Sequence, residues 1–351
     1  MSNLTGVLIG CGAIAREHLT VMAELDKVEI VAVCDISAAR AEATAERFGI
    51  AKWYTSHRDL LGDLQPDLVH ITTPPASHLP IARDVLTAGL NVFCEKPMTV
   101  QYSDFSTLRQ LARDKGCMLM ENQQNRFHSS VQRIEGLIRS GELGDILELQ
   151  ICLSLNINST DSPYVDKNAP HFGLTLQGGI IGDFLPHIAY LAYMFTGKVI
   201  DVHTVWAKHK SDSPLPADEF RGMIKGEKTT AYVSFSGNAQ PDGFLIRVVG
   251  NRMRVEVNLY EPPRVIVKRA RSGEPALGTL IDGIAESRQA LVGSVAGFLR
   301  KLGGTSSYDG LREMISRTYR SIELREPQPI SLDEMDEVAQ LVDRLAATGN
   351  S

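Results

Sequence analysis

The chain has 351 residues, enough for about two domains with buried cores. Its 36 Lys and Arg residues against 42 Asp and Glu residues give a formal charge of −6, which argues against a nucleic-acid-binding protein. A hydrophobic content of 43% argues against a disordered chain. The five cysteines are odd in number and show no CxxC spacing, so we expect reduced thiols, no disulfide framework and no metal site.

Up to about residue 120, short continuous apolar runs alternate with amphipathic segments of helix length. The runs predict strands over Val7–Gly10, Ile30–Cys34, Leu68–Thr72, Asn91–Cys94 and Cys117–Met120. Such runs are typical of strands buried on both faces of a parallel sheet. Helices are predicted between them, over Ile14–Glu24 and over Ala38–Phe48, which Gly49 ends. The pattern predicts a doubly wound α/β domain, a Rossmann domain, over residues 1–124.

The turn after the first predicted strand carries a dinucleotide-binding fingerprint. It reads Gly10-Cys11-Gly12-Ala13-Ile14-Ala15. In such a turn the first glycine allows the tight bend and the second lets the backbone approach a pyrophosphate, while the following helix supplies N–H donors. Together with strand and helix, this G-x-G-x-x-A sequence predicts a dinucleotide site that includes Gly10, Gly12, Ala13 and Ile14.

Asp35 ends the second predicted strand, where a carboxylate accepts both adenosine-ribose hydroxyls and repels a 2′-phosphate. Asp35 and the adjacent Ile36 are therefore cofactor-binding candidates, and NAD is the expected cofactor. Ser37 and Arg40 follow closely, and an arginine there could receive the extra phosphate. NADP is therefore left open.

Beyond about residue 145 the runs alternate apolar and polar residues and are separated by turn signals. They predict strands over Ile146–Leu155, Val199–Trp206, Thr229–Ser236, Phe244–Val249 and Val255–Leu259. Helices are predicted over Ser129–Arg139, Pro186–Phe195, Leu280–Leu302, Tyr308–Ile322 and Leu332–Leu345. We predict an α+β domain over residues 125–351, with an open, mostly antiparallel sheet and C-terminal helices.

The segment Cys94-Glu95-Lys96-Pro97 ends a predicted strand of the first domain. Ligands bind at the carboxyl ends of strands in such sheets. On local features alone Lys96 is either a ligand-binding residue or a solvated lysine.

With these features in order, the chain resembles the Gfo/Idh/MocA oxidoreductase family. The resemblance rests on the fingerprint, Thr73-Pro74-Pro75 with His78, Glu95-Lys96-Pro97, Gln124-Asn125-Arg126-Phe127, Gly141-Glu142-Leu143-Gly144, and Gly178-Gly179-Ile180-Ile181-Gly182-Asp183-Phe184-Leu185-Pro186-His187. It implies a Rossmann domain, an open-sheet domain with the site between them, and hydride transfer at a sugar or cyclitol carbon. It also adds Thr73, Pro74, His78, Glu95 and Lys96 to the cofactor-binding candidates.

By the same resemblance, Lys96, Asp183 and His187 are the expected catalytic and substrate-binding residues. The chemistry agrees, because oxidation of a secondary alcohol needs a base and histidine titrates near neutral pH. Lys96 would stabilise the charge on the reacting oxygen. Because proline is tolerated in the first helical turn, Pro186 predicts that Asp183 lies near the start of its helix, where it orients substrate or imidazole.

Three departures from the family pattern predict an unusual substrate pocket. Ile180 and Leu185 stand where the family usually has glycine, and Tyr190 stands where it has aspartate. The departures also leave room for a member that has changed or lost the reaction.

Further substrate-binding candidates are Asn125, Arg126, Tyr164 and His171. The polar, irregular segment Asn158–Leu176 contains the last two, and the alternative for both is a plain surface loop. Arg126 would meet an anionic substrate group or pair with a carboxylate.

Residues 264–301 carry seven basic side chains against three acidic ones, beside an apolar run with Gly293-x-x-x-Gly297. This segment is an oligomer contact, a packed helix with solvated ends, or a surface for an anionic substrate or a membrane.

We therefore expect an NAD(P)-dependent oxidoreductase acting on a sugar, nucleotide sugar or cyclitol. The alternatives are an enzyme that uses NAD in a transient redox cycle, for elimination or glycoside cleavage, and a non-catalytic dinucleotide-dependent sensor. We also expect a homo-oligomer, either a dimer or a tetramer. No apolar run is long enough to span a bilayer and the first strand begins almost at once, so a cytoplasmic protein is expected.

Overall fold

A computed structural model describes residues 3–159, 162–166, 171–261, 265–269, 287–288 and 309–347. The chain divides into two compact units. The first comprises Met1–Gln124 with Gly310–Gln340, and the second comprises Asn125–Asp309 with Leu341–Ser351. Most of the predicted helix Leu280–Leu302, and most of the overlapping basic segment 264–301, lie outside the described residues.

The first unit is built on a six-stranded parallel sheet in the order β3-β2-β1-β4-β5-β6. Its strands are β1 (Leu4–Ile9), β2 (Val28–Cys34), β3 (Trp53–Tyr54), β4 (Leu68–Ile71), β5 (Val92–Cys94) and β6 (Leu119–Glu121). The order reverses between β1 and β4, and ligands of such sheets bind at that reversal. The predicted Rossmann architecture is confirmed.

Helices follow the strands of this sheet. They are α1 (Ala15–Ala23), α2 (Ala38–Phe48), α3 (His57–Asp63), α4 (His78–Thr87) and α5 (Tyr102–Lys115). The bounds of α2 match the prediction, because the Ser37 side chain caps its start and Gly49, in the left-handed region, ends it. β3 and α3, which are only two and seven residues long, were not predicted from the sequence.

Two C-terminal helices follow, α8 (Asp309–Leu324) and α9 (Leu332–Ala346). Residues 310–340, which the sequence pattern groups with the second domain, pack on the first unit. Tyr319 of α8 is 3% exposed, and its hydroxyl lies 3.2 Å from Nε2 of His70 on β4. Gly6 of β1 leaves the space that this tyrosine fills.

The second unit holds a seven-stranded sheet in the order β13-β12-β11-β7-β10-β9-β8. Its strands are β7 (Ile146–Ser154), β8 (Val199–Ala207), β9 (Glu219–Gly226), β10 (Thr230–Ser236), β11 (Gly243–Gly250), β12 (Met253–Asn258) and β13 (Ile266–Arg269). β7 and β10 pair in parallel and the remaining pairs are antiparallel, so the predicted mostly antiparallel sheet is confirmed.

Within the described part of this unit, the sheet is accompanied by the helices α6 (Ser129–Arg139) and α7 (Gly179–Thr196), and α7 packs against β7, β9 and β10. The bounds of α6 match the prediction, whereas the prediction that Pro186 marks the first turn of its helix is wrong. Pro186 lies inside α7, seven residues after its start, so Asp183 lies in the second turn. Proline removes the N–H that would bond to the carbonyl of Gly182. The chain enters α7 through Gly178 and Gly179, both at positive φ (79° and 61°).

Substituting Gly6 with alanine should destabilise the first unit, because the new Cβ would overlap the hydroxyl of Tyr319 and the terminal methyl of Met22. Overpacking of this kind costs about 1–3 kcal/mol in unfolding free energy, measured by denaturant titration. In the Gly6→Ala/Tyr319→Phe double variant the hydroxyl is gone. The double variant should therefore lose less unfolding free energy than the sum of the losses in the two single variants. Strict additivity would contradict this packing.

Candidate active site

The turn between β1 and α1 has the geometry of a phosphate-binding loop. Gly10 has φ +102°, and a Cβ there would lie 2.7 Å from the backbone nitrogen of Thr73. A Cβ at Gly12 would meet no described heavy atom within 4 Å, so open space lies beside this residue. Ile14, at the start of α1, has no side-chain cap among the described residues. An uncapped helix start beside an open glycine fits a pyrophosphate.

The predicted cofactor residue Thr73 follows β4 and faces Gly10. Its Oγ1 is buried and has no hydrogen-bond partner within the described part of the chain. A buried polar atom without a partner is rare unless a ligand or a water molecule completes it. Pro74, the next residue, is exposed.

Asp35 lies at the carboxyl end of β2 and is 8% exposed. One carboxylate oxygen accepts the N–H of Cys11 at 2.9 Å, and the other accepts the N–H of Ser37 at 2.8 Å. Nε of Arg40 lies 3.4 Å from the same carboxylate, on a side chain that is 60% exposed. Asp35 therefore ties the glycine turn to the start of α2. The neighbouring Ile36 exposes 90% of its surface.

His78 holds two backbone segments together. Its ring nitrogens lie 2.9 Å from the carbonyl oxygen of Pro97 and 2.7 Å from that of Thr73, and the residue is fully buried. Burial lowers the pKa of this imidazole despite these carbonyls, which favour the charged form. The structure thus places His78 behind the two loops that carry Thr73 and Lys96.

Lys96 is half-buried and lies close to two carboxylates, those of Glu95 and Glu121, and the Lys96–Pro97 peptide bond is cis. Burial raises the pKa of Glu95, but hydrogen bonds and charge from His18, with Asn122 and Lys96, outweigh it and leave that pKa lowered. Burial raises the pKa of Glu121. Glu121 was not among the predicted site residues. The signal that could have found it is an acid at the end of a buried strand, next to the strand that leads into Glu95 and Lys96.

Behind Glu95 lies a chain of buried polar groups. Nε2 of His18 is 2.7 Å from the Glu95 carboxylate, and the Nδ1 atoms of His18 and His70 are 3.1 Å apart. His70 then meets the hydroxyl of Tyr319. Both histidines are fully buried. This row of hydrogen-bonded side chains was not predicted from the sequence, because its members come from distant elements.

The second unit carries the other candidates. Asp183 and His187 lie four residues apart on α7 and therefore share one face of the helix. Asp183 is 5% exposed and His187 is half-buried. Nδ1 of His187 lies 2.8 Å from the hydroxyl of Tyr190 and 3.4 Å from the amide nitrogen of Asn125. Arg126 follows Asn125 in a short 3-10 turn, Gln124–Phe127, and is half-buried.

Tyr164 and His171 lie together beside Asp183. Their ring centroids are 4.8 Å apart, and the Tyr164 ring also packs edge-on against Phe184 at 5.8 Å. Burial and the charge of Asp183 raise the pKa of Tyr164 to about 12. Nδ1 of His171 accepts the N–H of Gly173. The structure therefore brings the rings of Tyr164 and His171 together, with Asp183 near Tyr164, and brings His187, Tyr190 and Asn125 into a second group.

Among the described residues no cluster of His, Cys, Asp and Glu side chains could hold a metal ion. The helices of the described ranges are also too short or too polar to cross a membrane.

Both parts of the chain match descriptions of one family. Residues 4–123 match the Gfo/Idh/MocA "Oxidoreductase family, NAD-binding Rossmann fold". Residues 131–256 match the "GFO/IDH/MocA C-terminal domain".

Individual proteins are also similar. A D-apiose dehydrogenase from Paraburkholderia graminis is 32% identical over 144 residues, which cover 41% of this chain and 38% of that protein. An inositol 2-dehydrogenase from Salmonella typhimurium is 34% identical over 148 residues, which cover 41% of this chain and 44% of that protein. The chain thus matches less than half the length of either relative.

Among solved structures, the WlbA dehydrogenase from Bordetella pertussis, in complex with NADH and UDP-GlcNAcA, aligns with a TM-score of 0.76. The alignment covers 99% of this chain and 96% of that chain at 18% identity, and it shows a common fold.

Proposed function

This chain belongs to the Gfo/Idh/MocA oxidoreductase family, and we propose that it transfers a hydride between a nicotinamide dinucleotide and a carbinol or ketone carbon of a carbohydrate-like substrate. The substrate class is a sugar, a nucleotide sugar or a cyclitol. The observation that carries the proposal is that Lys96, Asp183 and His187, which the sequence resemblance places at the family's motif positions, each lie near another polar side chain, namely Glu95, Tyr164 and Tyr190.

The cofactor is assigned to the β1–α1 turn of the first unit. Gly10, Gly12, Ala13 and Ile14 would hold the pyrophosphate, and Thr73, with Pro74 beside it, would offer its unpaired hydroxyl. Asp35, with Ile36 beside it, would accept the ribose hydroxyls, which favours NAD.

Lys96, Asp183 and His187 are proposed to serve the reacting oxygen. The ammonium of Lys96, which lies beside the carboxylate of Glu95, would stabilise negative charge on that oxygen. Histidine titrates near neutral pH, so His187 is the candidate that the sequence supplies for carrying the proton. Asn125, Arg126, Tyr164 and His171 are proposed to bind the substrate.

Replacing either His187 or Lys96 with alanine should lower turnover by roughly 10²- to 10⁴-fold, because a group acting on the reacting oxygen is lost. NAD binding, measured by calorimetry, should be unchanged. The assay is NADH absorbance with a panel of sugars, nucleotide sugars and cyclitols. The controls are His209→Ala and Lys115→Ala, which remove an exposed residue of each type.

Full turnover in both variants would contradict these roles. Substrate consumption without NADH accumulation would instead indicate the transient redox cycle. NAD-dependent binding of a protein partner, with no turnover of any compound, would indicate the sensor.

The carboxylate of Asp35 should make the protein prefer NADH to NADPH, because it repels a 2′-phosphate. In Asp35→Asn the charge is gone and the side-chain oxygen still accepts one N–H. The NADH/NADPH affinity ratio, from fluorescence titration, should fall about tenfold, equivalent to about 1.4 kcal/mol. The control Asp59→Asn, in α3, should keep the wild-type ratio. An unchanged ratio in Asp35→Asn would contradict this role of the Asp35 charge.

We also propose a homo-oligomer formed through the outer face of the seven-stranded sheet. Three outward side chains of β8, β9 and β10 are exposed, namely Val205 (67%), Met223 (55%) and Tyr232 (38%). Burying them against a second copy removes apolar area from water. Met223→Glu should lower the mass found by sedimentation, whereas Leu324→Glu, on exposed surface of α8, should not. A monomeric wild type would refute this assignment.

A further inference from the structure

The partner that the structure gives His187 on its own helix is a tyrosine. Tyr190 lies three residues further along α7 and is fully buried. Its hydroxyl is 2.8 Å from Nδ1 of His187, and the two rings meet edge-on, 5.7 Å apart and at 83°. A buried hydroxyl at this distance restrains the orientation of the imidazole.

The contacts of Asn125 indicate which atom donates in the hydrogen bond between Tyr190 and His187. The backbone N–H of Asn125 donates to the Tyr190 oxygen at 3.4 Å, and its side-chain amide nitrogen lies 3.4 Å from Nδ1 of His187. The Tyr190 hydroxyl, which accepts this hydrogen from Asn125, is placed to donate its own to Nδ1 of His187 at 2.8 Å. An amide nitrogen only donates, so it too requires Nδ1 to accept. A neutral ring whose Nδ1 accepts carries its hydrogen on Nε2.

We propose that Tyr190 is the positioning residue that holds neutral His187 in the Nε2–H form. This proposal rests on the hydride transfer of the proposed function and revises one part of it, the role of His187, from proton carrier to hydrogen-bond donor. In the Nε2–H form His187 donates a hydrogen bond to the reacting oxygen and does not take up a proton. A carboxylate at position 190 would accept only, so it would place the hydrogen on Nδ1 and leave Nε2 as a base.

In this form of the ring, stabilising the charge on the reacting oxygen and transferring the proton are tasks of different groups. In the reductive direction the carbonyl carbon gains the hydride, and the electron pair of the C=O double bond moves onto the oxygen. Nε2–H of His187 stabilises that negative oxygen, as neutral imidazoles do in other active sites. The proton that completes the alcohol comes from an acid other than His187, for which the Lys96 ammonium is the candidate, and that acid recovers a proton from water. Oxidation follows the same steps in reverse, with the deprotonated form of that acid as the base.

The hydrogen position can be measured without any substrate. In the full-length protein with ¹⁵N-labelled histidine, long-range ¹H–¹⁵N spectra at about pH 8 distinguish the two neutral forms of each ring. The spectrum of His187→Gln identifies the His187 signals by their loss. We expect Nε2–H for His187 in the wild type and a mixture of both forms in Tyr190→Phe. A wild-type ring with its hydrogen on Nδ1 would overturn the proposal.

Turnover gives an independent readout. Glutamine carries a neutral N–H donor and cannot act as a base, so His187→Gln should retain at least tenfold more turnover than His187→Ala. Tyr190→Phe should lower kcat roughly 10- to 100-fold with NAD binding unchanged, as expected for a misplaced group. Tyr193→Phe, which removes a hydroxyl one turn further along α7, is the matched control. A His187→Gln variant as inactive as His187→Ala would indicate proton transfer by His187. If no compound is turned over, the proposed function fails while the spectra still decide the hydrogen position.

Discussion

The hydrogen bond between His18 and the carboxylate of Glu95 is the contact on which the Lys96 end of the first unit depends. A carboxylate that is 8% exposed would be costly to ionise without partners. Its two oxygens accept from His18, from Asn122 at 2.6 Å and from the backbone of Lys96 at 3.3 Å. These contacts join α1, the end of β5 and the segment after β6, so the position of Lys96 is set by groups from three parts of the chain.

The same contact explains why the C-terminal helix α8 belongs with this sheet. Nδ1 of His18 is hydrogen-bonded to Nδ1 of His70, and Nε2 of His70 is hydrogen-bonded to the hydroxyl of Tyr319 in α8. Burial holds the pKa of His70 well below its usual range, so a neutral ring with one donor and one acceptor is favoured. Without α8, a nitrogen of His70 would lose its partner in the interior of the unit, a loss that costs about 1–3 kcal/mol.

The sequence predicted the elements whose local pattern is strong and missed those that tertiary contacts decide. Continuous apolar runs and the capping pair Ser37 and Gly49 were sufficient for the parallel strands and for α2. β9 (Glu219–Gly226) was missed because charged residues and Gly222 interrupt its alternation. The start of α7 was misplaced because proline is unfavourable inside a helix, yet here the surrounding packing of a buried helix outweighs that local preference.

In the candidate site, too, local sequence pattern predicts some features and tertiary contacts determine the others. A motif could point to Asp183 and His187, but the partner of each side chain depends on the fold. The spacing of residues 183, 187 and 190 places all three on one face of a buried helix. Burial, together with the charge of the buried Asp183, already raises the pKa of the neighbouring Tyr164. A second carboxylate on this face would add like-charge repulsion, whereas the neutral hydroxyl of Tyr190 gives His187 a partner without adding charge. Replacing aspartate with tyrosine therefore changes what the imidazole can do while leaving its position on the helix unchanged.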